Sequence, residues 1–590
     1  MYMYSNEVNA QIIISLLKEH NIKYFVVSPG TTNYGIVGSI QDDSDFIVFS
    51  AVDERSAAYM ACGIAETLGE PVAISCTGAT ASRNYLSALT EAYYRKLPII
   101  AITSFNGNMN LGQMMPQNLD RTVIQRDVAL LSVQVPKVKD AEDASYCNRI
   151  VNEAILACRR HGGGPVHINV CCDYSAGGFE VTKLDKQRLI GRISRGDELP
   201  SLDSFEKIAV FIGAHRPFDN ATSVALDRFL EAYNAVALCD HTSNYHGPRA
   251  VLSALASENT SRWSVRFHEL RPDLIIDIGE VSGDYVTTGF LSASGAPVWR
   301  VSEDGEVRDR FGNLRKVFEM EERVFFEGFA TGMRSVRDDY VGAWRRRDNE
   351  VREEIPSDLP FTNRWVASVL SENIPEGSIL HLAILNSLRS WNYFPIDDSV
   401  SCFCNTGGFG IDGCLSAAVG SAIASPDNLV FEVTGDLAFF YDMNVLGNRH
   451  LGDNLRILLV NNGVGAEFHM PYSPASVMGS EVDEFVAAAG HFRSKSEDGA
   501  SPAEAWSRAV GLSYRRAATR EELLETVSWF VACDGGSKIL ECFVDVADEE
   551  LAAAAFGALD RENASRKRMA DTAQRMLPKG LVASIKKKIM

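Results

Sequence analysis

Oxygen-bearing residues in the last third of the chain have the types and spacing of a metal–diphosphate site. Gly435, Asp436 and Leu437 end one apolar run and begin a helical segment, and Asn462 ends the next apolar run. Because the carboxyl ends of neighbouring parallel strands meet at one edge of a sheet, we expect Asp436, Asn462 and the Val464 carbonyl to lie together. Such hard oxygen donors suit Mg²⁺, and free N–H groups at a helix start suit a diphosphate. An ordinary strand–turn–helix remains the alternative interpretation.

A carboxylate in the first domain is the second chemical candidate. Glu54 follows the end of an apolar strand and begins a helix of small residues that includes Ala57 and Ala58. A carboxyl group packed in apolar surroundings has a raised pKa and can exchange a proton. In the plainer interpretation, Glu54 only interacts favourably with the dipole of its own helix.

Alternating helices and short apolar strands must position these residues. Strands that are apolar along their whole length indicate parallel sheets covered on both faces, and therefore an α/β fold. A chain of 590 residues is too long for one core, which favours three doubly wound domains. The predicted strands are 24–27, 46–49, 72–76, 98–102, 164–170, 208–212, 236–239, 274–278, 298–301, 379–383, 400–404, 430–433, 457–460 and 539–544.

The domain boundaries follow from changes in composition. We predict domains at 1–180, 190–345 and 360–550, and a basic tail at 551–590. The charged segment 345–350 is interpreted as a polar linker. The second domain has no Gly-x-Gly-x-x-Gly, so we expect no dinucleotide there. The tail could contact anionic lipid or an acidic partner, but a solvated helix or docking on a neighbouring subunit is the plainer interpretation.

Composition excludes several classes of protein. The net charge of −20 argues against a nucleic-acid binder, whose contact surface is basic. We find no apolar run of about 18 residues, the length expected of a transmembrane helix. The chain starts without a basic and then apolar leader. The 12 cysteines lack zinc-type spacing and lie mostly among apolar neighbours, so we expect reduced thiols in a cytoplasmic protein.

The chain to about residue 550 resembles thiamine diphosphate (ThDP)-dependent enzymes, and within them the SEPHCHC synthases, which are carboligases of menaquinone biosynthesis. Several sequence blocks in the expected order carry this resemblance, which makes it more specific than any single motif. The blocks are Val27–Gly30, Asp53–Arg55, Gly164–Asn169, Asn386–Leu388, Gly410–Gly413, Gly435–Leu437, Tyr441–Asn444 and Asn461–Asn462.

The resemblance implies roles for individual residues. Glu54 would hydrogen-bond the aminopyrimidine ring of the cofactor, and Asp436, Asn462 and Val464 would hold Mg²⁺. Ile411 would be the apolar wedge that keeps the cofactor bent, or else a plain core residue. Gln117 resembles a glutamine that faces the reacting carbon. In this family the active site lies between two subunits, which implies a homodimer or homotetramer.

The chain departs from the SEPHCHC synthases where they use arginines to grip dicarboxylates. Thr31 to Asn33 replace Ser-Arg-Ser, Trp391 and Thr406 stand at two arginine positions, and a Lys-Arg pair is lost around 282–285. Threonine and tryptophan cannot replace the guanidinium fork that clamps a carboxylate. We therefore expect 2-oxoglutarate to be a poor donor and the chain not to serve menaquinone synthesis.

Other side chains are candidates for a different substrate pocket. Arg83, Glu467 and His469 lie near the predicted cofactor ends in sequence, although His469 fits a surface loop equally well. Trp391 and Tyr393 would provide faces that stack on a ring or a sugar.

The function predicted from these features is a ThDP- and Mg²⁺-dependent carboligase. It would decarboxylate a small 2-oxo acid and transfer the acyl unit to a carbonyl acceptor, such as a keto sugar or a related metabolite. One alternative is a decarboxylase that releases an aldehyde, as a phosphonopyruvate-type enzyme would. The other is a ThDP-binding protein without catalysis, against which the presence of Glu54, Asp436 and Asn462 argues.

Overall fold

The computed structural model of the protein describes residues 3–172, 177–329, 339–495 and 497–560. The described residues fall into two compact units. The first unit comprises those within Met1–Ser194 and Gly305–Glu319, and the second comprises those within Arg195–Asp304 and Met320–Met590. The three domain boundaries predicted from the sequence remain a proposal beside this two-part division.

The strands are short and occur along the whole described chain. In order they are β1 (Tyr4–Ser5), β2 (Tyr24–Val27), β3 (Ile47–Ser50), β4 (Val72–Cys76), β5 (Ile99–Phe105), β6 (Ser132–Val135), β7 (Val166–Cys171), β8 (Phe179–Val181), β9 (Gly191–Ser194), β10 (Ile208–Ile212), β11 (Val236–Cys239), β12 (Ala250–Leu252), β13 (Leu274–Ile278), β14 (Val298–Ser302), β15 (Leu314–Glu319), β16 (Ile379–Leu382), β17 (Ser401–Phe403), β18 (Val430–Gly435), β19 (Leu455–Asn461), β20 (Ser513–Ala517) and β21 (Lys538–Phe543).

The helices alternate with these strands. In order they are α1 (Val8–Glu19), α2 (Tyr34–Ile40), α3 (Glu54–Leu68), α4 (Ala79–Asn84), α5 (Leu86–Arg95), α6 (Ala141–Arg159), α7 (Asn220–Ala232), α8 (Ala254–Glu258), α9 (Val265–Leu270), α10 (Tyr285–Ser294), α11 (Glu322–Phe329), α12 (Asp339–Glu353), α13 (Asn363–Leu370), α14 (Asn386–Trp391), α15 (Cys414–Ala424), α16 (Asp436–Asp442), α17 (Pro502–Val510), α18 (Arg520–Val531) and α19 (Val546–Phe556).

The first unit is built on a six-stranded sheet with the order β3-β2-β4-β5-β7-β6, in which all neighbours are parallel. Strands β4, β5 and β7 are buried along their whole length, as expected for a parallel sheet covered on both faces. A second parallel pair, β9 with β15, belongs to the same unit. The sequence therefore predicted the fold class correctly, because apolar strands separated by helices leave few other arrangements.

A carboxylate cluster ties this strand pair to the rest of the first unit. Glu319, at the end of β15, accepts hydrogen bonds from Arg160 at 3.2 Å, Arg192 at 2.7 Å and His161 at 2.8 Å. Burial alone would raise the pKa of Glu319, but the hydrogen bonds from these three side chains hold that pKa down to about 2. We call this group the Glu319 cluster.

The second unit contains two parallel sheets. Five strands run in the order β12-β11-β10-β13-β14, and six run in the order β17-β16-β18-β19-β21-β20. In the six-stranded sheet β18 lies beside β19 in parallel register, with Gly435 opposite Val460. The ends of these two strands therefore open at the same edge, where the sequence predicted the magnesium site.

Helix starts follow local capping chemistry. Asp53 accepts from the Ser56 N–H at the start of α3, and Thr362 accepts from the Trp365 N–H at the start of α13. Each side chain satisfies one N–H group that the first turn of a helix leaves without a partner. The starting residues of these helices are thus fixed locally.

The predicted linker at 345–350 is wrong, because this segment lies inside helix α12. Tyr340, Trp344, Arg347 and Val351 recur at helical spacing and are buried. Apart from Arg347, the charged side chains that indicated a linker lie on the other face of the helix. The predicted tail also starts too early, because α19 continues to Phe556, which packs in the core. Residues 561–590, which carry the basic clusters, lie outside the described part of the chain.

Two further findings concern the chain as a whole. Among the residues that the structure describes, no helix is long and apolar enough to cross a membrane. All the cysteines are free thiols, and all are buried except the partly exposed Cys404 and the exposed Cys533.

Candidate active site

The predicted magnesium turn is assembled at the edge where β18 and β19 end. Asp436 is buried, its Oδ1 accepts from the Leu437 N–H at 2.7 Å, and its Oδ2 accepts from the Gly463 N–H at 2.6 Å. The second bond joins the start of α16 directly to the turn after β19. In that turn Asn462 Oδ1 accepts from the Val464 N–H at 3.1 Å. The carboxylate, the amide oxygen and the Val464 carbonyl therefore belong to one connected turn.

The space beside Gly435 fits a bound group. Gly435 has an extended backbone with φ of −85°, which any residue adopts, and an added Cβ would meet no atom within 4 Å. Neither the backbone nor the packing of this chain requires a glycine there. A residue without a side chain at the mouth of the turn leaves room for the close approach of a ligand such as a diphosphate.

The donor set of this turn is that of a hard cation. Each carboxylate oxygen of Asp436 carries a further lone pair, and the amide and carbonyl oxygens add neutral donors. Burial raises the pKa of Asp436 to about 6, against the effect of its backbone hydrogen bonds. In the described ranges no group of three or more His, Cys, Asp or Glu side chains could hold a metal. The oxygen donors fit Mg²⁺, which takes one or two carboxylates together with phosphate oxygens and water.

Glu54 stands at the first position of α3, where the sequence placed it. Its side chain is partly exposed, and its Oε2 accepts a hydrogen bond from Asn84 Nδ2 at 3.1 Å. Asp53 caps the helix before it and thereby fixes where the helix starts. The carboxyl group is thus oriented by a neighbouring amide and keeps one oxygen open to a further partner.

The other candidates in the first unit divide into open and engaged side chains. Gln117 is exposed and has a φ of +66°, and Thr31 is exposed as well. Arg83 donates to the Asp120 carbonyl at 2.9 Å, so it fastens the loop that carries Gln117. Asn33 is buried and donates to the Ser28 carbonyl at 3.1 Å. The structure thus gives Arg83 and Asn33 internal partners in the first unit.

The prediction that Trp391 stacks on a ligand is wrong. Its side chain is 0% exposed and belongs to the main core cluster of the second unit. A ring without exposed surface offers no face to a substrate. Thr406 is likewise buried, and its N–H donates to the Cys404 carbonyl. Ile411 is partly exposed, directly before the turn that leads into α15.

Two predicted substrate residues have partners in their own unit. His469 lies between Asp483, at 2.7 Å from Nε2, and Glu550, at 3.1 Å from Nδ1. Glu467 accepts two hydrogen bonds from Arg389 Nη1, at 2.8 and 2.6 Å. His469 is therefore held by two carboxylates, and Glu467 is one half of an ion pair.

The sequence reasoning missed Arg389. This residue directly follows Asn386–Leu388, the segment at which an arginine was sought two positions further on. Its neighbour Tyr472 also escaped notice, although it lies only a few residues beyond Glu467. The signal available was the arginine itself, adjacent to a motif that had already been identified.

Comparisons with known proteins identify the family of the chain. Residues 9–124 match the family "Thiamine pyrophosphate enzyme, N-terminal TPP binding domain". The chain is 32% identical over 547 residues to a 2-succinyl-5-enolpyruvyl-6-hydroxy-3-cyclohexene-1-carboxylate synthase of Bacteroides thetaiotaomicron, covering 90% of this chain and 94% of that protein. This chain belongs to the thiamine diphosphate-dependent enzyme family. The similarity covers 90% of the chain, far more than the sequence motif around Asp436 and Asn462.

Two further relatives bear the same name. A protein of Phocaeicola vulgatus is 31% identical over 556 residues, with 92% of this chain and 96% of that protein covered. A protein of Flavobacterium johnsoniae is 30% identical over 481 residues, with 78% and 84% covered. The ThDP-dependent fold and enzyme class are therefore established for this chain, while its substrates are a separate question.

Proposed function

We propose that this chain is a ThDP- and Mg²⁺-dependent carboligase, which decarboxylates a small 2-oxo acid and transfers the acyl unit to a carbonyl acceptor. The observation that carries the proposal is the buried Asp436 bonded to the turn of Asn462 beside the open space at Gly435. The relatives are named as synthases of a succinyl-bearing cyclohexene carboxylate, which supports carbon–carbon bond formation as the reaction class.

In this proposal the second unit holds the charged end of the cofactor. Asp436, Asn462 and the Val464 carbonyl would bind Mg²⁺, and Gly435 would let the diphosphate approach the main chain. Ile411 would press against the middle of the cofactor. When bound, ThDP supplies a carbon nucleophile and an electron sink.

The first unit supplies the proton chemistry. Glu54 would hydrogen-bond the aminopyrimidine ring and hold a proton there, with Asn84 fixing its other oxygen. Gln117, exposed on its loop, would face the reacting carbon. As in related enzymes, we infer that Glu54 of one subunit meets Asp436 of another in a homodimer or homotetramer. The free cysteines, most of them buried, support a cytoplasmic location.

The test combines cofactor binding with turnover. Calorimetry of the full-length protein with ThDP and Mg²⁺ should detect binding, and Asp436→Ala should weaken it at least 100-fold because the only carboxylate of the turn is lost. Glu54→Gln should keep cofactor binding within a few-fold and reduce CO₂ release from a panel of 2-oxo acids by at least 100-fold. Asp427→Ala, at an exposed position of the same unit, is the control and should change neither.

Two results would contradict the proposal. One is equal cofactor affinity in wild type and Asp436→Ala. The other is CO₂ release that is accompanied only by free aldehyde, with every carbonyl acceptor tried, which would support a decarboxylase that does not ligate.

A further inference from the structure

A cavity in the second unit has a volume of about 540 Å³, and its lining includes three tyrosines, two arginines and the carboxyl groups of Glu258 and Asp284. Helices α10, α13 and α14 contribute to it, together with the segment after Glu467. We call it the tyrosine pocket and define it by Asp284, Tyr285, Arg364, Arg389, Tyr393 and Tyr472.

Hydrogen bonds join the pocket to the segment that follows the proposed magnesium turn. Arg389 donates to Glu467, which lies three residues after Val464 of the magnesium turn. The hydroxyl of Tyr472 accepts from Arg389 at 2.7 Å and lies 3.2 Å from Asn386 Oδ1. These contacts place the pocket next to both segments that resemble the active site of the family.

Arg389 itself is electrically balanced. Glu467 neutralises it, and the rings of Tyr285 and Tyr472 lie 5.4 and 4.9 Å from its guanidinium carbon. Cation–π contacts of this kind hold a guanidinium in place and leave the outer ring faces as flat walls. Arg389 is therefore a wall of the pocket with its charge already matched.

Arg364, unlike Arg389, has no carboxylate at hydrogen-bond distance. It is only 4% exposed, its Nε has no hydrogen-bond partner, and the nearest carboxylate oxygen, on Glu549, lies 3.9 Å from Nη1. That distance is too long for a hydrogen bond. Glu549 is itself engaged with the Asn363 N–H at 2.6 Å, and burial raises its pKa. A buried guanidinium has five N–H donors and is costly to leave without acceptors.

Asp284 provides a second unpartnered polar atom in the same cavity. Its Oδ1 accepts from the Thr287 N–H at 2.9 Å, while its buried Oδ2 has no hydrogen-bond partner. Burial raises the pKa of Asp284 to about 7, so a neutral form that donates a hydrogen bond is accessible. Glu258, the other carboxylate of the lining, already accepts from the Tyr393 hydroxyl at 2.5 Å, so the unpartnered groups of the pocket are donors for a ligand that carries oxygen acceptors.

We infer that the tyrosine pocket is the acceptor end of the substrate site, and that Arg364 is the specificity-determining residue that binds a carboxylate of the acceptor. This inference rests on the proposed carboligase function. It narrows the acceptor to an acidic carbonyl compound with a flat or ring-shaped body, held between the tyrosine faces. The arginines missing at 391 and 406 are thus replaced by one from a different helix.

The test uses benzoate as the probe and benzamide as its neutral counterpart, titrated by calorimetry into the full-length protein with ThDP and Mg²⁺. Wild type should bind benzoate and not benzamide. Arg364→Met should weaken benzoate binding at least tenfold, and Arg364→Lys should weaken it less, because an ammonium keeps the charge and loses the fork. Arg515→Met, which removes an arginine stacked on Trp529 at 4.8 Å, is the control and should bind as wild type does.

Each other outcome decides against the inference. Equal benzoate affinity in wild type and Arg364→Met would remove Arg364 from the site, as would equal affinity of wild type for benzoate and benzamide. If Arg364→Met fails to fold, equal affinity of Arg364→Lys and wild type has the same meaning. CO₂ release by wild type is measured in the same preparations, so a failure of the proposed function is seen separately from a failure of anion binding.

Discussion

The Glu319 cluster and the tyrosine pocket are both built from arginines and carboxylates, but their hydrogen bonding differs. In the Glu319 cluster one carboxylate accepts from three cationic or potentially cationic side chains. In the tyrosine pocket Arg364 is buried with an unpartnered Nε and a carboxylate no nearer than 3.9 Å. The Glu319 carboxylate has its cationic partners at hydrogen-bond distance within the protein, whereas Arg364 gains a hydrogen-bonded acceptor only from an added group.

This difference in hydrogen bonding distinguishes charges that stabilise the fold from charges that can bind a ligand. A charge that has all its hydrogen bonds contributes to the stability of the fold, and removing one partner leaves the others uncompensated. A charge whose partners are missing lowers the stability of the protein alone and increases its affinity for an anion. The distance from each guanidinium to its nearest carboxylate is therefore more informative here than the residue types.

Removing the charge of the carboxylate in the Glu319 cluster should have the largest effect on stability. Glu319→Gln should lower the free energy of unfolding by about 2–3 kcal/mol, somewhat less than for a fully buried pair. Urea unfolding followed by circular dichroism measures this change. Glu306→Gln is the matched control, since Glu306 is 48% exposed and contacts Arg160 at 2.7 Å. Its cost should stay within about 0.5 kcal/mol.

An equal loss of unfolding free energy in the two variants would remove the distinction between the Glu319 cluster and a surface ion pair. Benzoate affinity should be unchanged in both, because neither residue belongs to the tyrosine pocket.

Acid should remove the contribution of the Glu319 cluster to the free energy of unfolding. The folded pKa of Glu319 is about 2, below the value of about 4.3 for an unfolded glutamate. A depressed pKa means that the stabilisation is fully present above pH ~4.3 and is lost as the pH falls towards 2. The stability difference between wild type and Glu319→Gln should therefore shrink between pH 7 and pH 3. A difference that is constant over this range would show that the charge of Glu319 is unimportant.

The balanced arginine of the pocket provides the smallest and sharpest comparison. Glu467→Gln removes the charge that neutralises Arg389 and should tighten benzoate binding about three- to tenfold, since a guanidinium without its carboxylate binds an anion more strongly. The unfolding free energy should fall by no more than about 1 kcal/mol, as both side chains are partly exposed. Glu504→Gln, which breaks a pair between the partly exposed Glu504 and the exposed Arg508, is the control. Weaker binding in Glu467→Gln would mean that Glu467 positions Arg389 instead of competing with the ligand.

The strands, and the proximity of Asp436 to the turn after β19, could be predicted because their signals are local. The apolar runs 72–76, 208–212, 236–239 and 274–278 coincide with β4, β10, β11 and β13 as the structure has them. Asp436 and the turn after β19 were brought together correctly, because the ends of adjacent parallel strands must share an edge.

The errors arose where a local signal was outweighed by packing. Charge density at 345–350 indicated a linker, yet Trp344 and Val351 are buried at helical spacing in α12. Trp391 has the chemistry of a stacking residue and is instead part of the core. In both cases the direction in which a side chain points was decided by its partners elsewhere in the chain.

The sequence alone determined the cofactor family and the α/β class, and it placed Asp436 and Asn462 at one edge of a sheet, since each of these depends on short-range spacing or on an apolar period. Only the tertiary structure decided which charged side chains have an oppositely charged partner at hydrogen-bond distance. Arg364 and Arg389 lie on separate helices, and Asp284 directly precedes a third. Whether a guanidinium has a carboxylate at 2.6 Å or at 3.9 Å depends on how these helices pack. The burial of each charge, and with it the choice between a structural and a binding role, is a property of that packing.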